Sequence, residues 1–335
     1  MIKYILKRLF ISIFVLLGVS IIIYTLVRMM PNSYLDTKFQ SHLQQGTITP
    51  EQLLEFKMQY GIGDNSFMGI ISGYFKWLGN MLQGDLGTSF KYEKPVAEVI
   101  GDNMWVSFAI AVIATILQFA IAIPLGITSA THQYSKRDYA VTIFTMIGIS
   151  LPTYFFAAII IKFFSVELGW FPSTGLVSAG ATFTDDFSGI ISKLLDMGHH
   201  LVLPIACTVI LSLGGLMRYT RTNTLEVLSA DYIRTARAKG LPEKQVIYKH
   251  AFRNTMIPLV TLLAGILPSL FGGMMITEEV FAIDGIGRLA YKALQDADIP
   301  FVMGYNMFLA VLTVIGTLFS DIMYSVVDPR VKLGK

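Results

Sequence analysis

The recurrence of long apolar stretches constrains this chain more than any other feature of its sequence. Each stretch has about 20 residues, and a helix of that length can cross the hydrocarbon core of a bilayer. Because backbone polar groups in lipid must be satisfied internally, the sequence predicts an all-α membrane protein with six transmembrane helices. The predicted spans are residues 9–27, 104–128, 139–165, 199–217, 258–277 and 301–325.

The distribution of positive charge predicts which side of the membrane each loop occupies. Lys and Arg number three before the first span, two in 129–138, eight in 218–253 and three in the tail. Loops rich in these residues stay cytoplasmic, so both termini and the 218–253 region are predicted to be cytoplasmic. The net charge of +3 is small for 335 residues. It therefore indicates membrane orientation and no nucleic-acid partner.

The sequence divides into four predicted segments. Within the second of them, Thr49-Pro50-Glu51-Gln52 is a capping sequence that predicts the start of a short helix. The segments are a cytoplasmic N-terminus with the first span (1–30), an external segment with short amphipathic helices (31–102), a five-span core (103–327) and a cytoplasmic tail (328–335).

Between the fourth and fifth spans lies a polar stretch that we call the charged loop, residues 218–257. Its segment DYIRTARAKG predicts a short helix in which Ser229 or Asp231 caps the N-terminus. Gly240 suits the left-handed position after the last turn, and Pro242 prevents the helix from continuing. A second helix is predicted to begin at Pro242.

The helical spacing of this segment predicts a surface for another protein. Ile233, Ala236 and Gly240 fall on one side and form a small apolar ridge, while Arg234 and Arg237 point elsewhere. Such a ridge allows close approach to a groove, and guanidinium groups can bind carboxylates at its rim. The alternative is a solvated basic loop that only orients the spans.

The charged loop resembles that of a known transporter family. DYIRTARAKGL, followed by His250, Ala251, Asn254 and Pro258, is similar to the cytoplasmic loop of the B-type membrane subunit of oligopeptide, dipeptide and nickel ABC importers. In that family the loop carries the EAA motif, a coupling helix that docks on the ATPase subunit. Here Arg-Thr-Ala stands where the general motif has Glu-Ala-Ala, and Phe-Arg replaces its downstream Leu-Pro. Both departures resemble the peptide and nickel branch.

Three further segments resemble the same family. They are GDLGTS at 84–89, EEVFAIDGIGRL at 278–289 and the closing Asp328-Pro329-Arg330. The resemblance implies a type I ABC importer-like fold and ATPase-coupling residues in the predicted helix. These residues are Asp231, Tyr232, Ile233, Arg234, Thr235, Ala236, Arg237, Ala238, Lys239 and Gly240.

The resemblance also implies the partners and the location of the protein. A second homologous permease subunit, two ABC ATPase subunits and an external substrate-binding protein are expected, in the inner membrane of a bacterial cell. The chain has no Gly-x4-Gly-Lys-Ser/Thr, so ATP and Mg²⁺ are expected in the ATPase subunits and not in this non-catalytic chain. No catalytic or metal site is predicted here.

Proline and glycine within the fifth predicted span indicate a candidate gate in the pathway. Pro268, Gly272 and Gly273 can loosen backbone hydrogen bonding where spans must separate. These residue types are also frequent in membrane helices with no such role.

Several functions remain open at this point. The resemblance favours oligopeptides or dipeptides as the substrate, with nickel or another solute as the alternative. A passive channel or secondary carrier is a rival from another class, although the ionisable residues keep to the ends of the spans. A membrane-anchored regulator with a DNA-binding helix-turn-helix at 231–258 is a second rival.

Overall fold

The fold is almost entirely helical. The structure, a computed structural model, describes residues 2–29, 32–60 and 66–327, and within these ranges the only β-type pairing is an isolated bridge between Thr88 and Pro95. The predicted closing motif Asp328-Pro329-Arg330 lies outside the described residues. The first helices are α1 (Ile2–Arg28), α2 (Asn32–Gln45), α3 (Pro50–Tyr60), α4 (Phe67–Leu82), α5 (Val96–Thr131), α6 (Lys136–Ser150) and α7 (Thr153–Ile160).

The second half begins with the longest helix and continues with shorter ones. Its helices are α8 (Phe187–Leu228), α9 (Asp231–Ala238), α10 (Glu243–Gln245), α11 (Phe252–Thr261), α12 (Ile266–Phe271), α13 (Met275–Val280), α14 (Ile286–Gln295) and α15 (Ile299–Val327). Two π-helical stretches, Ile161–Glu167 and Val246–Ala251, follow α7 and α10, and a 3₁₀ turn, Leu262–Gly265, joins α11 to α12.

Among the described residues, four helices are long and apolar enough to cross a membrane. They are Ile5–Arg28, Val96–Thr131, Phe187–Leu228 and Ile299–Ile322. A fifth is reached if the bent pair Lys136–Ser150 and Thr153–Glu167 counts as one span. Four of the predicted spans therefore coincide with helices that are long enough, while 139–165 and 258–277 differ from the continuous helices that the sequence predicts.

The predicted span 139–165 is broken by a sharp bend. Its two helices meet at 107°. Leu151 adopts an extended conformation with φ −86° and ψ 127°, since the ring of Pro152 disfavours α geometry in the preceding residue. The predicted span therefore consists of two helices that are separated by the bend before Pro152.

The predicted span 258–277 is also interrupted and stops early. It consists of α11, the 3₁₀ turn and α12, and it ends at Gly272. Gly273 then adopts φ +74°, a left-handed conformation that ends a helix. A side chain there would lie 2.4 Å from the backbone nitrogen of Gly287, so the chain packs against itself at this point.

Helices α5, α6 and α8 form the packed centre that carries the charged loop. Where they cross, glycines allow close approach: a Cβ at Gly126 would lie 2.7 Å from Thr220 Cβ, and one at Gly214 would lie 2.7 Å from the carbonyl oxygen of Thr145. Small residues at such crossings are typical of helix packing in membranes. The charged loop begins within the last turns of α8 and continues after Leu228.

Candidate functional site

Helix α9 forms the centre of the candidate site. It runs from Asp231 to Ala238 as predicted. The predicted N-cap was wrong, because the N-cap residue is Ala230, whose side chain has no capping hydrogen bond. Ser229 instead donates its hydroxyl to the carbonyl of Glu226, 2.7 Å away, at the end of α8. The two helices are so close that the serine completes the first helix and does not begin the second.

The end of α9 confirms the predicted role of Gly240. This residue has φ +74°, and its N–H donates to the carbonyl of Arg237 at 2.9 Å. The N–H of Leu241 reaches back to the carbonyl of Ala236 at 3.4 Å. The two bonds make a Schellman motif, in which a glycine in the left-handed conformation closes the last turn. Pro242 is the N-cap of α10.

The predicted apolar ridge is buried inside the chain. Ile233 and Ala236 are 0% and 6% exposed and pack with Val246 and Ala251. Residues around this cluster are Val227, Leu228 and Leu241. The prediction that Ile233 and Ala236 contact a partner was therefore wrong. Their burial instead anchors α9 to the end of α8, since apolar side chains gain most when neighbouring helices cover them.

The opposite face of α9 is polar, cationic and exposed. Arg234 is 3.6 Å from Asp231, and Arg237 binds Glu243 through two bonds of 2.7 and 3.2 Å. That paired hydrogen bonding raises the pKa of Arg237 and lowers the pKa of Glu243. The exposed residues of the predicted set are Asp231, Tyr232, Arg234, Thr235, Arg237, Ala238, Lys239 and Gly240.

These interactions divide the two arginines by role. Arg237 donates from Nε and Nη2, one edge of its guanidinium, to the two carboxylate oxygens of Glu243, which ties α9 to α10. Arg234 projects outward, with 74% of its side chain exposed. A forked guanidinium held at the surface of a rigid helix suits recognition of a carboxylate. The geometry therefore favours Arg234 for contact with an acidic partner and Arg237 for holding the loop together.

The candidate gate lies at the other end of the fifth predicted span. Gly272 donates its N–H to the carbonyl of Pro268 at 2.7 Å, and its own carbonyl accepts from the Tyr305 hydroxyl. Gly273 follows and packs against Gly287. The structure thus brings Pro268, Gly272 and Gly273 together at the end of α12. Along the chain, the segment from α10 to the 3₁₀ turn after α11 separates them from α9.

Beside the candidate gate lies a buried carboxylate that the sequence analysis did not single out. Glu278 is 0% exposed and accepts hydrogen bonds from Ser107 Oγ (2.7 Å), Met274 N (2.9 Å) and Arg288 N (3.0 Å). Close packing surrounds it, since a Cβ at Gly285 would lie 2.5 Å from its Oε2. The glycine-rich segment EEVFAIDGIGRL was the available signal.

A second polar cluster that the sequence analysis missed joins α5, α6 and α8. Arg221 binds Asp138 through two bonds, and Ser129 donates to the same carboxylate. Asp138 is only 4% exposed. Its place next to a serine and two basic residues at the start of a span was the only sequence signal.

Comparisons with known proteins agree with the expected family. The sequence profile described as "Binding-protein-dependent transport system inner membrane component" matches residues 122–333. The oligopeptide transport system permease protein AppB of Bacillus subtilis (strain 168) is 37% identical over 99% of this chain and 100% of its own length. The dipeptide transport system permease protein DppB of Alkalihalophilus pseudofirmus is 30% identical over 99% and 100%.

A solved structure shares the fold. A chain of the MetNI methionine ABC transporter, determined in inward-facing conformations, aligns with a TM-score of 0.51 and 18% identity over 69% of this chain and 97% of its own. The family profile and the full-length relatives together decide the assignment. This chain belongs to the binding-protein-dependent transport system inner membrane components, and it is a permease subunit of an ABC importer.

Proposed function

We propose that this permease subunit imports oligopeptides or dipeptides and that α9 is the helix through which an ATPase subunit drives it. The observation that carries the docking proposal is the division of α9 into two faces. Ile233 and Ala236 anchor one face on the end of α8, and the other presents Arg234 to the solvent. A partner that moves this helix would therefore move α8 with it.

The proposed topology has six spans with both termini in the cytoplasm. The third span is the bent pair α6–α7, and the fifth is the interrupted segment α11–α12. Residues 31–102 form the external segment, 103–327 the five-span core, and 328–335 the cytoplasmic tail. Support comes from the charge distribution, because the charged loop holds eight of the Lys and Arg residues at 218–253 and such loops stay inside.

The family is one of ABC importer permeases, which work with ATPase and binding-protein partners. The finer assembly proposed here has a second homologous permease subunit completing the pathway and two ATPase subunits that bind ATP and Mg²⁺. An external binding protein delivers the substrate. ATP-driven closure of the ATPase subunits moves α9, and the spans alternate between outward and inward openings. The break at Pro268, Gly272 and Gly273 is the proposed gate.

The docking proposal is tested with a charge reversal on the exposed face. Arg234→Glu should reduce co-purification of the ATPase subunits and uptake together, while the subunit stays in the membrane fraction. Gly240→Leu should do the same, because a left-handed conformation costs a branched residue about 1–2 kcal/mol. Lys249→Glu makes the same charge change on an exposed residue outside α9 and serves as the control. Normal co-purification of the ATPase subunits with both α9 variants would refute the proposal that an ATPase subunit binds to α9.

The substrate proposal rests on the relatives, whose names are those of oligopeptide and dipeptide permeases. Cells that lack this gene should regain uptake of radiolabelled dialanine or trialanine when it is restored. Nickel is the alternative substrate. Restored uptake of radioactive Ni²⁺ with unchanged peptide uptake would reject the peptide assignment in its favour.

A further inference from the structure

An ion pair between three helices lies next to the surface of α9 that is proposed to dock on the ATPase subunit; its Asp138 is buried, and the Arg221 side chain is 29% exposed. The Asp138–Arg221 clasp, as we call it, joins Nε and Nη2 of Arg221 to the two carboxylate oxygens of Asp138 at 2.9 and 3.0 Å. Ser129 donates to the same carboxylate and accepts from Arg221 Nε at 3.0 Å. The backbone N–H of Tyr134 donates to Asp138 at 3.0 Å. The clasp thus binds the end of α5, the start of α6 and the last third of α8 at one point.

The clasp is connected to α9 through continuous contacts. Arg221 lies seven positions before Leu228, about 10 Å along α8 at 1.5 Å per residue. Val227 and Leu228 pack against the cluster that buries Ile233 and Ala236. A cavity of about 550 Å³ lies alongside, with residues 130–133 on one side and the Arg237–Glu243 pair on the other. The loop between α5 and α6 therefore faces the charged loop directly.

Close backbone packing beside the clasp keeps the helices from sliding. A Cβ at Gly126 would lie 2.9 Å from the carbonyl oxygen of Met217, as well as 2.7 Å from Thr220 Cβ. Thr220 directly precedes Arg221. A bidentate pair of this kind fixes both distance and orientation, whereas apolar contacts alone permit rotation. Desolvation of the buried carboxylate offsets much of the attraction in such a pair, so its net stabilisation is small.

We infer that Asp138 and Arg221 are positioning residues for coupling, which hold the α5–α6 loop and the charged loop as one rigid body. The inference rests on the proposed docking of α9. When an ATPase subunit displaces α9, the end of α8 moves with it, and the clasp carries α5 and α6 along. Without the clasp, α9 and α8 still move, but the ends of α5 and α6 lag behind.

The distance between the two loops tests this inference directly. Spin labels are placed at Gln133→Cys and Lys244→Cys, both exposed, in the assembled transporter with Cys207 replaced. Pulsed electron resonance measures the distance in the nucleotide-free state and after trapping with ATP and vanadate. In the otherwise unaltered protein, one narrow distance is expected in both states. In Arg221→Gln, the distribution should broaden or shift by several ångström on trapping.

Matched variants separate this role from simple stabilisation. Arg218→Gln removes an exposed arginine from the same helix and should leave the distance unchanged. Asp138→Asn should reproduce Arg221→Gln, and the double variant should be no worse than either, since both remove one interaction. Arg221→Lys keeps the charge without the two-pronged contact, and it should broaden the distance even if Arg221→Gln does not reach the membrane.

A functional measurement completes the test. Moles of ATP hydrolysed per mole of trialanine imported should rise at least tenfold in Arg221→Gln, while the ATPase subunits still co-purify. Loss of co-purification of the ATPase subunits would overturn the inference, because the clasp would then serve only to keep α9 able to bind them. An unaltered loop distance and ATP ratio in both single variants would overturn it as well. Failure of the docking proposal is distinct, since Arg234→Glu would then leave co-purification intact.

Discussion

Replacement of Glu278 by glutamine should destabilise the protein although the two side chains have nearly the same shape. The carboxylate is completely buried, and three donors converge on it. Oε1 accepts from Ser107 Oγ and Met274 N, and Oε2 accepts from Arg288 N. Glutamine offers one acceptor oxygen and one NH₂ donor, so it cannot satisfy all three.

The magnitude follows from the better of the two amide orientations. With the oxygen in the Oε1 position, two bonds survive but lose the strengthening that an ionised acceptor gives. The NH₂ group then faces the N–H of Arg288, which is left buried without its acceptor at a cost of about 1–3 kcal/mol. Removing a buried charge offsets part of this loss. We therefore expect Glu278→Gln to lower the free energy of unfolding by about 2 kcal/mol, with each term taken from these ranges.

Equilibrium unfolding by sodium dodecyl sulfate in mixed micelles measures this free energy. Glu279→Gln is the matched control, because the neighbouring carboxylate is 36% exposed and has an ion pair with Arg288 at 3.1 Å. A partly exposed pair contributes about 0–1 kcal/mol, so the control should stay close to the original protein. Equal stability of the two variants would show that the convergence of donors on Glu278 does not stabilise the fold.

Three further outcomes are expected. In a cysteine-free background, Ser41→Cys should react with an impermeant thiol reagent in intact cells and Lys244→Cys only after permeabilisation; labelling of Lys244→Cys in intact cells would invert the topology. Gly285→Ala should reduce stability by about 1–3 kcal/mol through overpacking, whereas Gly215→Ala, which meets no atom within 4 Å, should not. Burial raises the pKa of Asp298, so the folded state holds its proton more tightly than the unfolded chain does. Its stabilising contribution is greatest below a pH of about 4 and falls as the pH rises through the folded pKa, and Asp298→Asn should remove this slope in a thermal unfolding series.

Local interactions account for most of what the sequence predicts correctly. The Thr49–Gln52 capping box forms as expected, with reciprocal bonds of 2.8 and 3.2 Å at the start of α3. Gly240 adopts the left-handed conformation that ends α9. Each involves residues only a few positions apart, so the pattern of residue types is enough to specify the geometry. The same holds for the four long apolar helices, whose composition leaves few alternatives to a membrane.

Errors arise where two local preferences compete. Serine is a residue type that is favoured at N-caps, but the hydroxyl of Ser229 donates to the carbonyl of Glu226 in the preceding helix. The apolar content of 139–165 predicts a span but not the 107° turn at Pro152 within it. In both cases the sequence contains the signals. Which of the two competing signals prevails depends on contacts with neighbouring helices, and the periodicity of the sequence carries no information about those contacts.

The sequence by itself determined that this chain forms apolar helices and a cationic helix after the fourth predicted span, because length, hydropathy and short-range caps decide those features. Only the tertiary structure decided what the side chains face. Ile233 and Ala236 turn inward because the end of α8 and the segment after α10 cover them. Arg221 meets Asp138 across 83 residues, and Ser107 meets Glu278 across 171. Such pairs form only after the helices have packed, since the free energy that compensates for burying a charge comes from donors on other helices.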